Sequence, residues 1–345
     1  MLNKELIDKW VAADSSDLHI KAPNPPFWRI HGDLRRVPGF APMSDDDVRD
    51  FTLHLVGDAG LREFQRENEL DTAITLPCGR RVRINLHVQL GSPGLALRLL
   101  PNDFLPLSAL GLSVKICEEI CSLKQGLVLV TGATGSGKST TIASFINQIN
   151  ATRTGHIVTI EDPIEYRHNT KGCLITQREV GRDTASFKEA LRRVLREDPD
   201  IVLIGEMRDL DTIRAALTIA ETGHLTFGTL HTSTAVHTIT RIISSFPAEE
   251  QEQVRMQLSG SLKYVICQQL LPTADGNGRY LAAEVMVATS AVQSLVRESR
   301  IHQIPSAMQT GVDLGMRTLN QSLDDLVASE KITGEKANEY RLNSF

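Results

Sequence analysis

The chain has 345 residues, which is long enough for about two domains that each bury a core. Hydrophobic residues make up 41% of it and charged residues 23%, the proportions of an ordinary globular protein. A formal net charge of −5 and an aromatic content of only 5% argue against a nucleic-acid-binding protein.

The amino-terminal segment MLNKELIDKWVAADSSD predicts an amphipathic helix over about residues 3–13. A secretory signal peptide would need an unbroken apolar core, which this segment lacks. No run of the sequence approaches the ~18 apolar residues of a membrane span. We therefore expect a cytoplasmic protein whose contact with any membrane goes through a partner.

Residues 1–100 have the pattern of a small α+β domain. The segment SDLHIKAPNPPFWRIHGDLRRVP alternates in short stretches broken by Pro and Gly, as in a meander of strands. The segment SDDDVRDFTLHLVG predicts a helix with Ser44 as its N-cap and aspartates in its first turn. Alternating strands follow in ELDTAITLP, RRVRINLHVQL and GLALRLLP. The proline-punctuated residues 101–113 then predict a linker.

Residues 114–345 predict a second domain built on a mostly parallel sheet. A helix in VKICEEICSLK precedes GLVLVTG, a continuous apolar run typical of a parallel strand covered on both faces. Further buried strands are predicted in HIVTIED, DPDIVLIGE and LTFGTLHTS, and helices in KSTTIASFINQIN, TASFKEALRRVLRED and LDTIRAALTIAETG. This alternation of helices and apolar strands indicates the α/β class.

The five cysteines are scattered, and an odd, scattered set predicts reduced thiols in a reducing compartment. Cys117 and Cys121 would share one face of a helix. They are interpreted as small buried hydrophobes, with a metal or redox pair as the alternative. Because no CxxC pair occurs, we expect no structural zinc site.

The glycine-rich stretch TGATGSGKSTT, residues 131–141, follows an apolar strand and opens a helix. Its spacing fits the nucleotide-binding P-loop, whose backbone N–H groups and helix N-terminus bind phosphate oxygens. Lys138 is expected to reach the β- and γ-phosphates, and Ser139 to bind Mg²⁺. The predicted nucleotide-binding residues are Gly132, Ala133, Thr134, Gly135, Ser136, Gly137, Lys138, Ser139 and Thr140.

Two acidic segments also follow apolar strands. In DPDIVLIGEMRD, Glu206 comes directly after a strand and is expected to hold Mg²⁺ or its water, as a Walker B acid does. In TIEDPIEY, the acids Glu161, Asp162 and Glu165 are clustered, and a carboxylate there could polarise the attacking water. The alternative for this acidic box is a solvated turn set by Asp162 and Pro163.

Two histidines bracket the strand in TGHLTFGTLHT. His224 and His231 are seven residues apart, and such a pair could sense the γ-phosphate. The alternative is that a histidine at a strand end is a structural hydrogen-bond partner.

Arginines are plentiful in both domains. Arg81 and Arg83 are predicted to project from one face of a strand, so a guanidinium from a neighbouring subunit could stabilise the transferring phosphate. The spacing fits equally well with ordinary surface arginines, whose charged groups are solvated and whose aliphatic stems pack on the protein.

Four motifs in this order resemble the secretion-ATPase superfamily, most closely the PilT-type retraction ATPases of type IV pili. They span roughly residues 105–250 and read GATGSGKST, TIEDPIEY, LREDPDIVLIGEMRDLDTIRAAL and ETGHLTFGTLHT. SDLHI and RVRINLHVQ resemble the family's PAS-like amino-terminal domain. HQIPSAMQTG and GMRTLNQSLDDLV resemble its carboxy-terminal helices.

The resemblance implies a RecA-like P-loop NTPase domain joined to a smaller PAS-like α+β domain. It implies a homohexamer that hydrolyses ATP with Mg²⁺ at its subunit interfaces and powers pilus retraction and twitching motility. The implied partner is an inner-membrane pilus platform protein, which would make the cytoplasmic motor peripheral at that membrane. The implied catalytic residues are Glu165 as base, Glu206 as Walker B acid, His224, His231, Arg83, Arg98 and Arg208, with Ser139 and Glu206 as metal ligands.

Two differences between this sequence and those of related proteins bear on which subfamily it resembles. The four-cysteine zinc motif of pilus-extension relatives is missing after the histidine box, which favours the retraction branch. The segment AVQSLVRE, residues 291–298, has Gln293 and Ser294 where retraction motors carry an arginine and an asparagine. Its apolar stripe is kept, so folding should be unaffected. An accessory or divergent paralogue is therefore the alternative.

Two other classes of function are alternatives to the pilus motor. A RecA-like nucleic-acid motor would share the core but should carry basic or aromatic loops that bind single strands. A nucleotide-binding regulator with little turnover would fit the altered AVQSLVRE segment. Stimulation of the ATPase by single-stranded DNA would indicate the first class, and negligible turnover in the absence of partners the second.

Overall fold

The computed structural model describes residues 2–13, 15–30, 33–101, 103–275 and 278–342. The other positions fall within the predicted domains and linker and lie outside the described residues. The chain forms two compact units, Met1–Asp103 and Phe104–Phe345. Within the described ranges, no helix combines the length and the apolar character needed to cross a bilayer.

The described residues of the first unit form an antiparallel sheet and two helices. Its strands follow the order β3-β2-β1-β6-β5-β4. Its elements are α1 (Leu2–Ala12), β1 (Asp17–Lys21), β2 (Phe27–Ile30), β3 (Asp33–Arg36), α2 (Asp45–Glu67), β4 (Glu69–Thr75), β5 (Arg81–Gln89) and β6 (Ser92–Leu99). Large side chains such as Trp10, Phe51 and Leu97 fill one core, which confirms the predicted α+β character.

Helix α2 begins as predicted and ends later than predicted. The Ser44 hydroxyl accepts from the backbone N–H of Asp47 at 3.2 Å, and the Asp47 carboxylate accepts from the backbone N–H of Ser44 at 2.8 Å. This capping box satisfies donors that the first helical turn leaves unpaired. At Gly57 the backbone takes φ 66° and ψ −177°, which glycine alone adopts readily, and helical geometry then resumes to Glu67.

The second unit is a seven-stranded sheet in the order β13-β12-β7-β11-β10-β8-β9. All neighbouring strands are parallel except β12 and β13, which are antiparallel. The strands are β7 (Gly126–Thr131), β8 (Gly155–Glu161), β9 (Cys173–Glu179), β10 (Ile201–Ile204), β11 (Leu225–Leu230), β12 (Leu262–Pro272) and β13 (Arg279–Val287). The predicted α/β class is confirmed.

Helices cover both faces of this sheet. They are α3 (Val114–Ser122), α4 (Lys138–Thr152), α5 (Phe187–Val194), α6 (Leu210–Glu221), α7 (Ala235–Ser244), α8 (Gln251–Ser261), α9 (Ser290–Arg297), α10 (Ile304–Thr310), α11 (Leu319–Ala328) and α12 (Gly334–Tyr340). Leu127 and Leu129 join the core under α5–α10, whereas Val128 and Val130 join the core under α3 and α4. Burial on both faces explains the unbroken apolar run of β7.

The sequence pattern does not predict β9, β12 or β13, and the end that it predicts for α5 is too late. The edge strand β9 reads CLITQRE and is apolar over only part of its length. It therefore lacks the continuous apolar run by which the other parallel strands are predicted. Helix α5 ends at Val194 instead of continuing to Asp198. Asp198 has φ 54° and precedes Pro199, and a residue before proline is disfavoured in the helical region.

Native protein should present one fast-reacting thiol out of five to a chromogenic disulfide reagent. Cys78 is exposed, whereas Cys117, Cys121, Cys173 and Cys267 are buried. Burial raises the pKa of Cys117 to about 11 and that of Cys121 to about 12, which suppresses the reactive thiolate. Denaturation should release all five. A second fast thiol in the native protein would contradict the interpretation of Cys117 and Cys121 as buried hydrophobes.

Candidate nucleotide site

Four loops meet at the carboxyl edge of the second unit's sheet. The P-loop follows β7, His231 follows β11, Glu206 lies just beyond β10, and the acidic box follows β8. These strands are neighbours and parallel, in the order β7-β11-β10-β8. Parallel strands present their carboxyl ends at one edge, where ligands of α/β proteins bind.

The P-loop lies tightly against β12. Gly132 has φ 142°, and a Cβ there would clash with the carbonyl oxygen of Gln268 and lie 2.5 Å from Ser136 Oγ. The buried hydroxyl of Ser136 has no hydrogen-bond partner among the described residues. A glycine is therefore required at the start of the loop, and an unpaired buried donor fits a loop that binds phosphate oxygens.

Lys138 opens α4 and turns back over the P-loop. Its Nζ donates to the carbonyl oxygens of Gly132 at 2.8 Å and Ala133 at 3.0 Å. Burial lowers the pKa of Lys138, and the charges of Glu206 and Glu165 oppose that decrease. Both predicted acids thus lie within electrostatic reach of the P-loop lysine.

Glu206 lies within ion-pair distance of two other predicted site residues. Its Oε1 lies 2.5 Å from Arg208 Nε and 3.2 Å from His231 Nε2. The Thr229 hydroxyl donates to the Gly205 carbonyl at 2.5 Å, and the Met207 N–H donates to the Thr229 carbonyl at 2.9 Å. These bonds fix the ends of β10 and β11 to each other, which holds the Glu206–Arg208–His231 cluster together.

The acids of the box differ in their partners. Glu161 Oε1 accepts from the Thr159 hydroxyl at 2.6 Å and from the Gln177 amide at 3.3 Å. Asp162 is exposed and precedes a cis peptide bond to Pro163. Glu165 lies between two buried residues, Ile164 and Tyr166, and is itself partly exposed.

Tyr166 connects the acidic box to the P-loop helix. Its hydroxyl donates to Thr140 Oγ1 at 2.9 Å, and burial raises its pKa. Thr140 was predicted to contact nucleotide, and the structure pairs its hydroxyl with Tyr166. The neighbouring Ser139 lies exposed in the first turn of α4, where a hydroxyl is a suitable oxygen ligand for Mg²⁺.

The structure separates the two predicted histidines. His224 lies at the amino end of β11, where its carbonyl accepts from the Gly126 N–H at 3.0 Å. Its Nδ1 lies 3.1 Å from both the Ile219 carbonyl and the Thr222 hydroxyl. In one chain, His224 and His231 therefore lie at opposite ends of β11, and a role of His224 in sensing the γ-phosphate stays a prediction. Residues flanking a strand lie at opposite edges of its sheet, and His224 makes structural hydrogen bonds in its own chain.

The predicted arginines of the first unit face each other across two strands. Arg83 on β5 pairs in register with Arg98 on β6. Arg98 Nε lies 2.7 Å from Asp17 Oδ1, and Arg83 Nη2 lies 3.8 Å from Asp71 Oδ1. Arg81 is buried, at 5% exposure. The register thus creates a cross-strand pair of guanidinium groups, each with a carboxylate beside it.

Several supporting residues were not found from the sequence. Gln268 donates from Nε2 to the Thr141 hydroxyl at 2.7 Å, Gln177 binds Glu161, and Thr229 ties β10 to β11. Each lies on a strand outside the P-loop and the two acidic segments. Since their partners are distant in sequence, their spacing gave no signal.

Comparison with known proteins agrees with this geometry. The protein family described as "Type II/IV secretion system protein" matches residues 79–333. The chain is 47% identical to the "Type IV pilus retractation ATPase PilT" of Pseudomonas aeruginosa, over 94% of each chain. It is 47% identical to a "Twitching motility protein" of Neisseria gonorrhoeae, over 92% of this chain and 85% of the relative.

A solved structure is also similar throughout. The crystal structure of the pilus retraction motor PilT with bound ADP superposes with a TM-score of 0.91 at 43% identity. The match covers 98% of this chain and 96% of that one. Both units therefore have counterparts in a solved nucleotide-bound motor.

Proposed function

Since this chain belongs to the type II/IV secretion system protein family, we propose that it hydrolyses ATP and that this reaction drives retraction of type IV pili, and with it twitching motility. Two relatives and one solved structure that share almost its whole length are named as a pilus retraction ATPase, a twitching motility protein and a pilus retraction motor. The observation that carries the proposal is the convergence of the P-loop, the acidic box and the Glu206–His231 pair at one edge of the sheet. A P-loop beside two carboxylates suits hydrolysis as well as binding.

Each group of site residues has its own role in the proposed hydrolysis of ATP. The N–H groups of residues 132–140 bind the phosphates, and Lys138 exchanges two carbonyl partners for phosphate oxygens. Glu165 accepts a proton from the attacking water. Arg208 and His231 hold the Glu206 carboxylate in place.

Magnesium fits the oxygen donors at this edge. Ser139 and Glu206 supply a hydroxyl and a carboxylate, which are ligands that Mg²⁺ accepts. When bound, Mg²⁺ neutralises charge that develops on the phosphates.

We further propose a homohexamer that works at the inner membrane through a pilus platform protein. The paired arginines Arg83 and Arg98 support this, because their guanidinium groups are suited to the phosphates of a neighbouring subunit. Sedimentation of the full chain with ATP and Mg²⁺ should give a particle of about six subunits. A monomer under every nucleotide condition would contradict the ring.

Expression of this protein should restore twitching and lower the number of surface pili in a strain that lacks its retraction ATPase. The matched control is Lys138→Ala, which should restore neither. Pilus counts by electron microscopy and the diameter of twitching zones report the result. Failure of an active ATPase to restore retraction would contradict a role as retraction motor.

A second candidate, an accessory paralogue, is favoured by the sequence of α9. The helix forms as predicted, with Val292 and Val296 buried. Its partly exposed Gln293 and Ser294 differ from the retraction motif, and the Ser294 hydroxyl donates to Glu298 Oε1 at 2.7 Å. The complementation assay distinguishes this candidate, because an accessory protein would hydrolyse ATP and restore twitching only beside an active motor.

A further inference from the structure

The edge strand β9 supports the acidic box from the side. Gln177 and Glu179 are two residues apart on this strand, so their side chains project from the same face. In the parallel register with β8, Gln177 pairs with Thr159 and Glu179 with Glu161. Both side chains are thereby placed next to the loop that leaves β8 and carries Glu165.

The amide of Gln177 binds this loop at three points. Its Oε1 accepts from the backbone N–H of His168 at 2.8 Å. Its Nε2 donates to the carbonyl oxygen of Tyr166 at 2.9 Å and to Glu161 Oε1 at 3.3 Å. Glu179 adds a fourth point, since its Oε2 accepts from the backbone N–H of Ile164 at 3.1 Å. These backbone groups lie on both sides of Glu165.

The opposite side of the loop has its own anchors. The Tyr166 hydroxyl donates to Thr140 on α4, and the rings of Phe104 and His168 stack with centroids 4.7 Å apart. Residues 161–168 are thus held between β9 and the P-loop helix. Glu165 sits within this held segment.

An amide is the side chain that position 177 requires. The contacts need one acceptor and one donor group on the same planar head, and glutamine provides both. A charged glutamate would keep the bond from His168 N–H but lose both donations. It would also place a second carboxylate beside Glu161.

We propose that Gln177 is a positioning residue for hydrolysis, whose amide holds the acidic-box loop so that Glu165 faces the P-loop. The inference rests on the proposed function, in which Glu165 is the base. A base displaced by about 1 Å loses on the order of 100-fold in rate, so the fixed loop matters for turnover more than for binding.

Gln177→Ala in the full chain should lower kcat by about 10- to 100-fold while the Kd for a fluorescent ATP analogue stays within about 2-fold. The matched control is Gln251→Ala, because the Gln251 amide also donates to a backbone carbonyl, that of Phe246, at 3.0 Å. Gln251 lies on α8, which carries none of the site residues named above. The Gln251→Ala variant should therefore keep wild-type kcat. Wild-type kcat in Gln177→Ala, or parallel losses of binding and Tm, would overturn the proposal.

Gln177→Glu adds a readout that a purely structural role would not move. Below the pKa of the introduced carboxyl it is protonated and again carries a donor, and above that pKa it is charged and repels Glu161. Glu161 and Glu179 raise the pKa of this carboxyl above its usual value of about 4.3, so turnover relative to wild type at the same pH should rise as the pH falls from 8 to 5. The same ratio for Gln177→Ala should stay flat. A flat ratio for Gln177→Glu would overturn the proposal even if Gln177→Ala failed to fold.

The ionisable groups around position 177 suit this design. Glu161 and Glu179 face it from β8 and β9, and both disfavour a charged carboxyl at position 177. His168 faces it from the loop, and burial lowers the pKa of its ring to about 4, so it stays mostly neutral between pH 5 and 8.

Failure of this inference differs from failure of the proposed function. If wild type hydrolyses ATP, Lys138→Ala does not, and Gln177→Ala is as fast as wild type, the function stands and the positioning role falls. If wild type shows no hydrolysis, both fall together.

Discussion

Replacing Lys138 by alanine should reduce kcat/KM for ATP by at least about 100-fold and weaken nucleotide binding. The ammonium is the one P-loop side chain expected to reach the β- and γ-phosphates. It is already partly desolvated, as its lowered pKa indicates, so its charge interacts strongly with an anion. Phosphate release measures turnover, and titration with a fluorescent ATP analogue measures binding.

The control for Lys138→Ala is Lys188→Ala. Lys188 forms an ion pair with Asp211 at 2.8 Å, and both side chains are at least half exposed, so its loss should leave activity and stability nearly unchanged. The Lys138 variant should still fold, since it loses two hydrogen bonds worth about 1 kcal/mol each. If Lys138→Ala hydrolysed ATP as fast as wild type, the nucleotide site would have been assigned to the wrong loop.

Glu165→Gln should reduce kcat by about 100-fold or more while ATP still binds. The amide has the size of the carboxylate but accepts no proton, so water remains unactivated. Removing a negative charge near Lys138 should leave binding unchanged or tighten it. Rapid mixing with radiolabelled ATP, followed by isolation of the bound nucleotide, should therefore recover ATP rather than ADP.

Asp162→Asn is the matched control within the same box. Asp162 is exposed, and its charge acts on Arg208, not on Lys138. We expect its kcat within about 3-fold of wild type, because an exposed carboxylate is screened by water and salt. Equal losses in Glu165→Gln and Asp162→Asn would show that the box contributes net charge and that Glu165 has no specific role as base.

The parts of the site that follow buried strands could be predicted from the sequence. The apolar runs of β7, β8, β10 and β11 identified the strands, and the next residues in each case were the P-loop, the acidic box, Glu206 and His231. The direction of parallel strands then places all four at one edge. His224 precedes its strand, so it lies at the opposite end of β11 from His231 in the same chain.

The support of the site could not be predicted in this way. Gln177 acts through the pairing of β8 with β9, and Gln268 through the pairing of β12 with β7. Strand order and register depend on how the whole sheet packs. Periodicity reports which face of a strand is buried, and it does not report the neighbouring strand.

The contact between Gln268 and the P-loop bears on how short a working fragment of this protein can be. Strand β12 begins more than thirty residues after His231, beyond every recognised nucleotide motif. Yet its backbone lies directly against Gly132, and its Gln268 side chain holds the helix that follows the loop. A truncation that ended after the last motif would keep every motif residue. It would lose strand β12, against which the P-loop packs. The minimal functional unit therefore extends well past the residues by which the activity is recognised.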